Sequence, residues 1–390
     1  MKKPFENLVV LDLSRYLLGA YPSLYFADFG ARVIKVEDTK TGDYCRQEKP
    51  QIDGKSYYHY ALNRNKESIS LDLKDPSVLS AFYLLVQKAD IIIENFRPGV
   101  TERLKIDYPI LQKINPRIIY CSLSAYGQDH PRSKKPLHDI NIVAETGFYD
   151  LNEGHVALLP PADFAAAMVA LQGILGALYV RDQTFEGCHI DVSMYDSLVW
   201  WNAMLDSRWY FYGKDFPSTK REYPAIGYNV YQTKDGRKLA FGFYEHSFWN
   251  DFCDDIQRPD LHDMLKDTPT ENPEGYQEVV DLVAEKTYDE WVAWLAERDH
   301  CISPCLNKTE STAFAMQTSP GILQYHDYPT IGEVLQTNTP HRMGDHVSDL
   351  TDAQEPRPLG ADTKRVLEEI GLEQTMIDLL IKNKSVHCAE

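Results

Sequence analysis

"DPSVLSAFYLLVQKADIIIEN", residues 75–95, decides how this chain folds. Asp75 before Pro76 signals a helix start: a capping acceptor, then a ring whose fixed φ suits the first helical residue. Apolar residues recur at helical spacing as far as Asp90. Ile91 to Ile93 then form an unbroken apolar run, the pattern of a strand covered on both faces. The same alternation surrounds this stretch. "NLVVLDL" (7–13) reads as a strand, "YPSLYFADFGA" (21–31) as a helix ended by Gly30, and "RVIKVE" (32–37) as a strand. "ESISLDLK" (67–74) and "RIIYCSLS" (117–124) add two more strands. Strands alternating with helices predict an α/β fold with a parallel, doubly wound sheet. Ligands of such sheets sit at loops after the strand C-termini. No G-x-G-x-x-G follows the first strand, so the usual dinucleotide fingerprint is absent.

Further along, Pro160-Pro161 precedes one long helix from Asp163 to Asp182, and "GCHIDVSMYDSLVWW" (187–201) gives a strand and a helix. The texture then turns polar, aromatic and Pro-bearing, and we read 201–222 as a connector. "YNVYQTKDGRKLAFGFYEHSFW" (228–249) is a hairpin turning at Lys234-Asp235-Gly236, followed by helical segments. This places a smaller α+β domain at 223–320, after a large domain at 1–200. The tail at 357–383 reads as two short amphipathic helices.

The chain has 390 residues, too many for one ordinary core. No apolar run is read as long enough to span a bilayer. The N-terminal "MKKPFENLVVLDLS" is read as a first strand rather than a signal peptide, because Asp12 cuts its short apolar run. A cytoplasmic location is expected. Seven cysteines are spread without a CxxC or a zinc-like His/Cys spacing, so reduced thiols and no metal site are expected. A net charge of −18 argues against nucleic acid or an anionic membrane as partner. An anionic small ligand would need a local basic pocket.

Lys74, Arg97, Arg103, Arg64 and Lys66 all lie where the chain enters or leaves strands, and could supply that pocket. Three other residues could carry acid–base chemistry. Asp163 stands at a helix start, where the helix dipole favours its anion; it is a capping carboxylate or a reagent. The small residues Ala162 and Ala165 to Ala167 permit close approach by a ligand or by another helix. His138, in "LHDIN", is a hydrogen-bonded loop histidine or a base. Glu245, at a strand end in "FGFYEHSFW", is a solvated carboxylate or a partner to that base.

Taken together these segments resemble the family III CoA-transferases, a group that includes the α-methylacyl-CoA racemases. The likeness runs through "GARVIKVEDTKTGDYCR", "NRNKESISLDLK", "ADIIIENFRPGVTERL", "YCSLSAYGQ", "HDINIVAETG", "ADFAAAMVALQGILGALYVRD", "GCHIDVSMYDS" and "LGADTKRVLEEIGL". It implies a Rossmann-like large domain, a smaller domain on connectors, and an interlocked homodimer. Residues 321–390 would then form a connector and a C-terminal part returning to the large domain. The substrate would be an acyl-CoA thioester, with no cofactor beyond its coenzyme A. The resemblance places coenzyme A near Leu71, Asp72, Leu73 and Lys74, near Asn95, Phe96, Arg97 and Arg103, and at Leu137, Asp139, Ile140 and Asn141. Transferases of the group use the aspartate matching Asp163 as nucleophile; racemases use it as a base paired with the histidine of "HDIN", here His138. Glu245 matches a racemase glutamate that could orient His138. The active-site motifs are nearer the racemase branch, so α-carbon inversion by His138 and Asp163 is the first expectation. CoA transfer through Asp163 is the second, and a non-catalytic acyl-CoA binder the third. Three positions depart from the group: Asp38 replaces an arginine, Leu159 an asparagine, and Ala165 to Ala167 a Gly-rich helix start. They imply an acyl pocket of different shape. Amide groups at the start of the Asp163 helix are expected to hold an enolate oxygen.

Overall fold

In the computed structural model, the described residues are 3–152, 154–212, 224–343, 346–347 and 350–389. Two compact units emerge, Met1–Arg208 with Ser319–Glu390, and Trp209–Thr318.

The first unit is built on a seven-stranded sheet. Its strands are β1 (Val9–Asp12), β2 (Arg32–Glu37), β3 (Lys66–Leu71), β4 (Ile91–Glu94), β5 (Ile119–Ser124), β6 (His189–Ser193) and β7 (Val386–His387). Their spatial order is β7-β3-β2-β1-β4-β5-β6, parallel throughout except for β7, which runs antiparallel to β3. Strands one to six thus follow the doubly wound order 3-2-1-4-5-6, whose direction reverses between β1 and β4.

The unbroken isoleucines of β4 show why this sheet is buried on both sides. Successive side chains of a strand point to opposite faces. Ile91 and Ile93 join one core with Val10, Val33, Ile119 and Cys121. Ile92 joins the other with Leu11, Ile34, Ile69 and Tyr120. The first face is covered by helices α1 (Tyr16–Asp28) and α4 (Pro161–Thr184), the second by α2 (Pro76–Lys88) and the C-terminal helices Thr363–Glu369 and Gln374–Lys382. Asp75 caps α2 as its sequence implied, accepting the Ser77 amide at 2.9 Å. Of the short helices between α2 and α4 in the chain, the one that matters for the site is α3 (Asp139–Glu145).

α1 begins five residues earlier than expected, and Pro22 lies inside it rather than near its start. The residues 201–222, expected as a connector, are in part helical: a helix covers Ala203–Tyr212, and 213–223 lie outside the described residues. α4 is long and apolar enough to cross a membrane by length and composition, where the sequence reading found no such run. Here it is a core helix: Ala162, Ala166, Ala170 and Ile174 are fully buried in the first core. Ala167 packs against Leu17, Ala20 and Leu24 of α1. The small residues of "ADFAAAMVA" therefore serve helix-to-helix approach.

The return of the tail depends on one glycine. Gly360 has φ +73°, and a Cβ there would lie 2.4 Å from the His387 carbonyl oxygen. Only glycine lets β7 approach this turn.

The second unit has an antiparallel three-stranded sheet, Ile302–Pro304 beside Lys238–Gly242 beside Tyr228–Gln232. The hairpin closes through the Thr233 amide on the Arg237 carbonyl, with Gly236 at φ +79°. Its core centres on the buried indoles Trp249 and Trp291, whose N–H groups donate to the Leu261 and Val283 carbonyls.

Candidate active site

The reversal of strand order between β1 and β4 opens a crevice at their C-terminal ends, where open α/β sheets take their ligands. Two loops meet there. Asn95, directly after β4, accepts the Arg15 amide at 2.9 Å and donates to the Arg15 carbonyl at 2.8 Å. This pair of hydrogen bonds fixes the turn from β1 into α1. The Arg15 side chain donates to the Tyr44 hydroxyl at 2.6 Å and faces Asp38 at 3.4 Å. Arg15 was not singled out from sequence; it supplies a cation next to Asp38, where the resemblance implies an arginine.

Lys74, Arg97 and Arg103 have exposed side chains with no ion pair among the described residues. They follow β3 and β4, as an anionic ligand would require. Arg64 and Lys66 do not belong with them. Arg64 is buried and binds Asp28 through two nitrogens at 3.0 and 2.6 Å. Lys66 is buried and bound to Asp12 at 3.1 Å. A buried cation needs a fixed partner, and both already have one. Leu71 is also buried, paired across to Val386, and the Asp72 amide donates to Ser385. Leu73 and Phe96 pack on the second core.

The second half of the site is built by α3 and α4. His138 is exposed at the N-cap position of α3, and Asn141 accepts its amide at 3.1 Å. Leu137 packs on the first core, while Ile140 is exposed. Asp139 reaches across to α4, where its Oδ1 accepts the Ala162 amide at 2.7 Å and the Asp163 amide at 3.1 Å. The reason lies in the local sequence. α4 opens on Pro160-Pro161, so its N-cap position has no side-chain acceptor, and a carboxylate from another segment satisfies the first amides. The side chains of Asp139 and Asn141 each accept backbone amides and hold structure. One expectation is corrected. The amides at the start of α4 are already bound, so they do not form the oxyanion site: Phe164 donates to the Pro160 carbonyl, and the two others to Asp139.

Asp139 thus ties the segment of His138 to the first turn of the Asp163 helix, because it follows the first and binds the backbone of the second. Asp163 is half-buried and makes no ion pair among the described residues. Burial, and next the negative charge of Asp139, push its carboxyl up to about 7. Burial and then the Asp163 charge hold the Tyr58 phenol firmly neutral. Phe164 meets Tyr21 edge-on at 5.4 Å and sets α4 against α1. Glu245 belongs to the other unit, exposed at the N-cap position of the helix His246–Asp255. Its role toward His138 rests on resemblance alone.

The family model described as CoA-transferase family III matches residues 5–363. The chain belongs to that family. An acetyl-CoA:oxalate CoA-transferase of Acetobacter aceti is 37% identical over 267 residues, which is 67% of this chain and 68% of the relative. The human α-methylacyl-CoA racemase is 28% identical over 399 residues, covering 98% of this chain and 97% of the relative. A crystal structure of a CAIB/BAIF family protein from Brucella suis shares the fold, with a TM-score of 0.82 at 24% identity over 95% of this chain and all of that one. This family III CoA-transferase chain therefore acts on acyl-CoA chemistry, and its relatives include both transferases and a racemase.

Proposed function

We propose that the chain inverts the α-carbon of a 2-substituted acyl-CoA, with His138 and Asp163 as the two bases. The observation that carries this reading is the Asp139 bridge, which ties the segment bearing the exposed His138 to the first turn of the helix bearing Asp163. A thioester acidifies its α-proton. One group removes that proton from one face, and the conjugate acid of the other returns a proton from the opposite face. A carboxyl near 7 exists in both forms at neutral pH, as such exchange requires. Coenzyme A is assigned to the crevice beside Asn95, with Arg97, Arg103, Lys74 and Arg15 toward its phosphates. We assign no cofactor beyond it.

The transferases among the similar proteins, the acetyl-CoA:oxalate CoA-transferase for one, support a second reading. Asp163 would attack the thioester carbonyl and expel the CoA thiolate, leaving a mixed anhydride. The thiolate would then attack the aspartyl carbonyl, giving aspartyl-CoA and releasing the first acid. An incoming carboxylate would reverse both steps.

Incubation in D2O with a panel of acyl-CoAs separates the two. Deuterium at the α-carbon with no free acid present is the expected result, and His138→Ala should lower it at least about a hundredfold. New acyl-CoA species formed only with added acid, and no deuterium, would replace inversion by transfer.

Self-association is also proposed. The helix Ala203–Tyr212 exposes Met204, Trp209, Tyr210 and Phe211, more large apolar surface than one helix usually leaves in water. A dimer is expected in analytical ultracentrifugation; a monomer at micromolar concentration would overturn this.

A further inference from the structure

The bond between Asp139 and the start of α4 assigns that residue work beyond a cap. Its carboxylate lies 23 and 24 residues before the amides it accepts, and it starts the helix that carries His138 at its N-cap position. One side chain therefore connects the segments bearing both candidate bases. It is half-buried, and so is Asp163. We propose that Asp139 is a positioning residue: it registers the first turn of the Asp163 helix against His138 and places a second negative charge beside the Asp163 carboxyl. This rests on the reading of Asp163 as the reacting carboxylate.

The groups that act on Asp163 support this assignment. From α3 comes Asp139; from the helix Tyr57–Leu62 comes the neutral phenol of Tyr58; from α1 comes Tyr21, edge-on to the adjacent Phe164. No cation pairs with Asp163 among the described residues, so Asp139 is the charge that opposes its ionisation. A like charge nearby disfavours the charged form. Burial raises Asp139 as well, and the two amides that it accepts offset only part of this. The transferable consequence is a division of labour between two carboxylates, one bound to backbone and one left reactive.

Two substitutions separate charge from geometry. Asp139→Asn keeps an oxygen for the two amides and removes the charge. The acid limb of the kcat/KM–pH profile, which reports Asp163 ionising in the free enzyme, is expected to move about one unit lower. Asp139→Ala removes the acceptor too, and kcat is expected to fall about 10- to 100-fold, with most of that loss absent in the asparagine variant. Coenzyme A binding by calorimetry should stay within about threefold of wild type in both. An unmoved limb in Asp139→Asn, or a tenfold loss of coenzyme A affinity, would overturn the proposal. Asp163→Asn is the control: full activity there would sink the underlying reading of Asp163, independently of the calorimetric result for Asp139.

Discussion

Asp163→Asn is expected to lower kcat by about a thousandfold or more, and to make the protein more stable at the same time. The amide is nearly isosteric, so the packing of α4 against α1 is kept, and so is the Asp163 amide bond to Asp139. What is lost is the ability to take up a proton or attack a thioester, and either chemistry depends on it. The gain in stability follows from the carboxyl's displacement to about 7. An ordinary carboxyl ionises near 4, so the unfolded chain releases this proton earlier than the folded one. Between about pH 4 and 7 the folded state binds more protons, and the wild type loses stability as pH rises. The penalty is complete above about 7 and vanishes below about 4. Discounted for the partial exposure of Asp163, it amounts to about 1–2 kcal/mol at pH 8. Steady-state rates with urea unfolding at several pH values would measure both effects. A variant that is inactive but less stable would make Asp163 a structural cap instead.

Much of the fold was legible in sequence, and what was not has physical reasons. The strands could be read because each is a local apolar run flanked by turn chemistry, as Ile91 to Ile93 show. Their spatial order could not, because it depends on which crossover passes over which strand. Without that order the reversal between β1 and β4 is invisible, and with it the importance of Arg15. Five cations near strand ends looked alike in sequence. The structure divides them by burial: Arg64 and Lys66 are held by Asp28 and Asp12, partners 36 and 54 residues away. The link from Asp139 to the Asp163 helix escaped for the same reason, since its two amide donors lie 23 and 24 residues away. The start of α1 was misplaced because Pro22 reads as a first-turn residue, the place where proline is best tolerated. The helix Ala203–Tyr212 was missed because its exposed aromatic residues show no apolar stripe toward a core.

Removing the charge of Asp12 is expected to cost about 3–5 kcal/mol of folding stability, the largest single effect away from the chemistry. Asp12 ends β1 directly beneath the crevice and is fully buried. Its Oδ2 faces the Lys66 ammonium at 3.1 Å and the Lys35 ammonium at 3.7 Å, and accepts the Ser23 hydroxyl at 2.6 Å. Its Oδ1 accepts the Ser14 amide and hydroxyl. Burial alone would raise its carboxyl, but Lys35, Lys66 and the two serines overcome this and hold it well below the usual range. Lys35 has a second anion, Asp43, at 2.9 Å. Lys66 has no second ion pair among the described residues: without Asp12 its hydrogen-bond partners would be neutral, the Ala20 carbonyl, Ser23 and Asn63, with Asp43 acting only at longer range. Burial already draws Lys66 down to about 8, so loss of its counter-charge would drive it further toward the neutral form. Asp12→Ala should therefore unfold at markedly lower urea concentration at pH 7. Because the folded carboxyl is depressed, its contribution is complete above about pH 4 and is lost in stronger acid, so the deficit should shrink below pH 4. Adding Lys66→Met should recover part of it, since two buried charges replaced together leave none unpaired. A deficit under about 1 kcal/mol, or no recovery in the double variant, would mean that the pair is not what holds β1, β2 and β3 together at this end of the sheet.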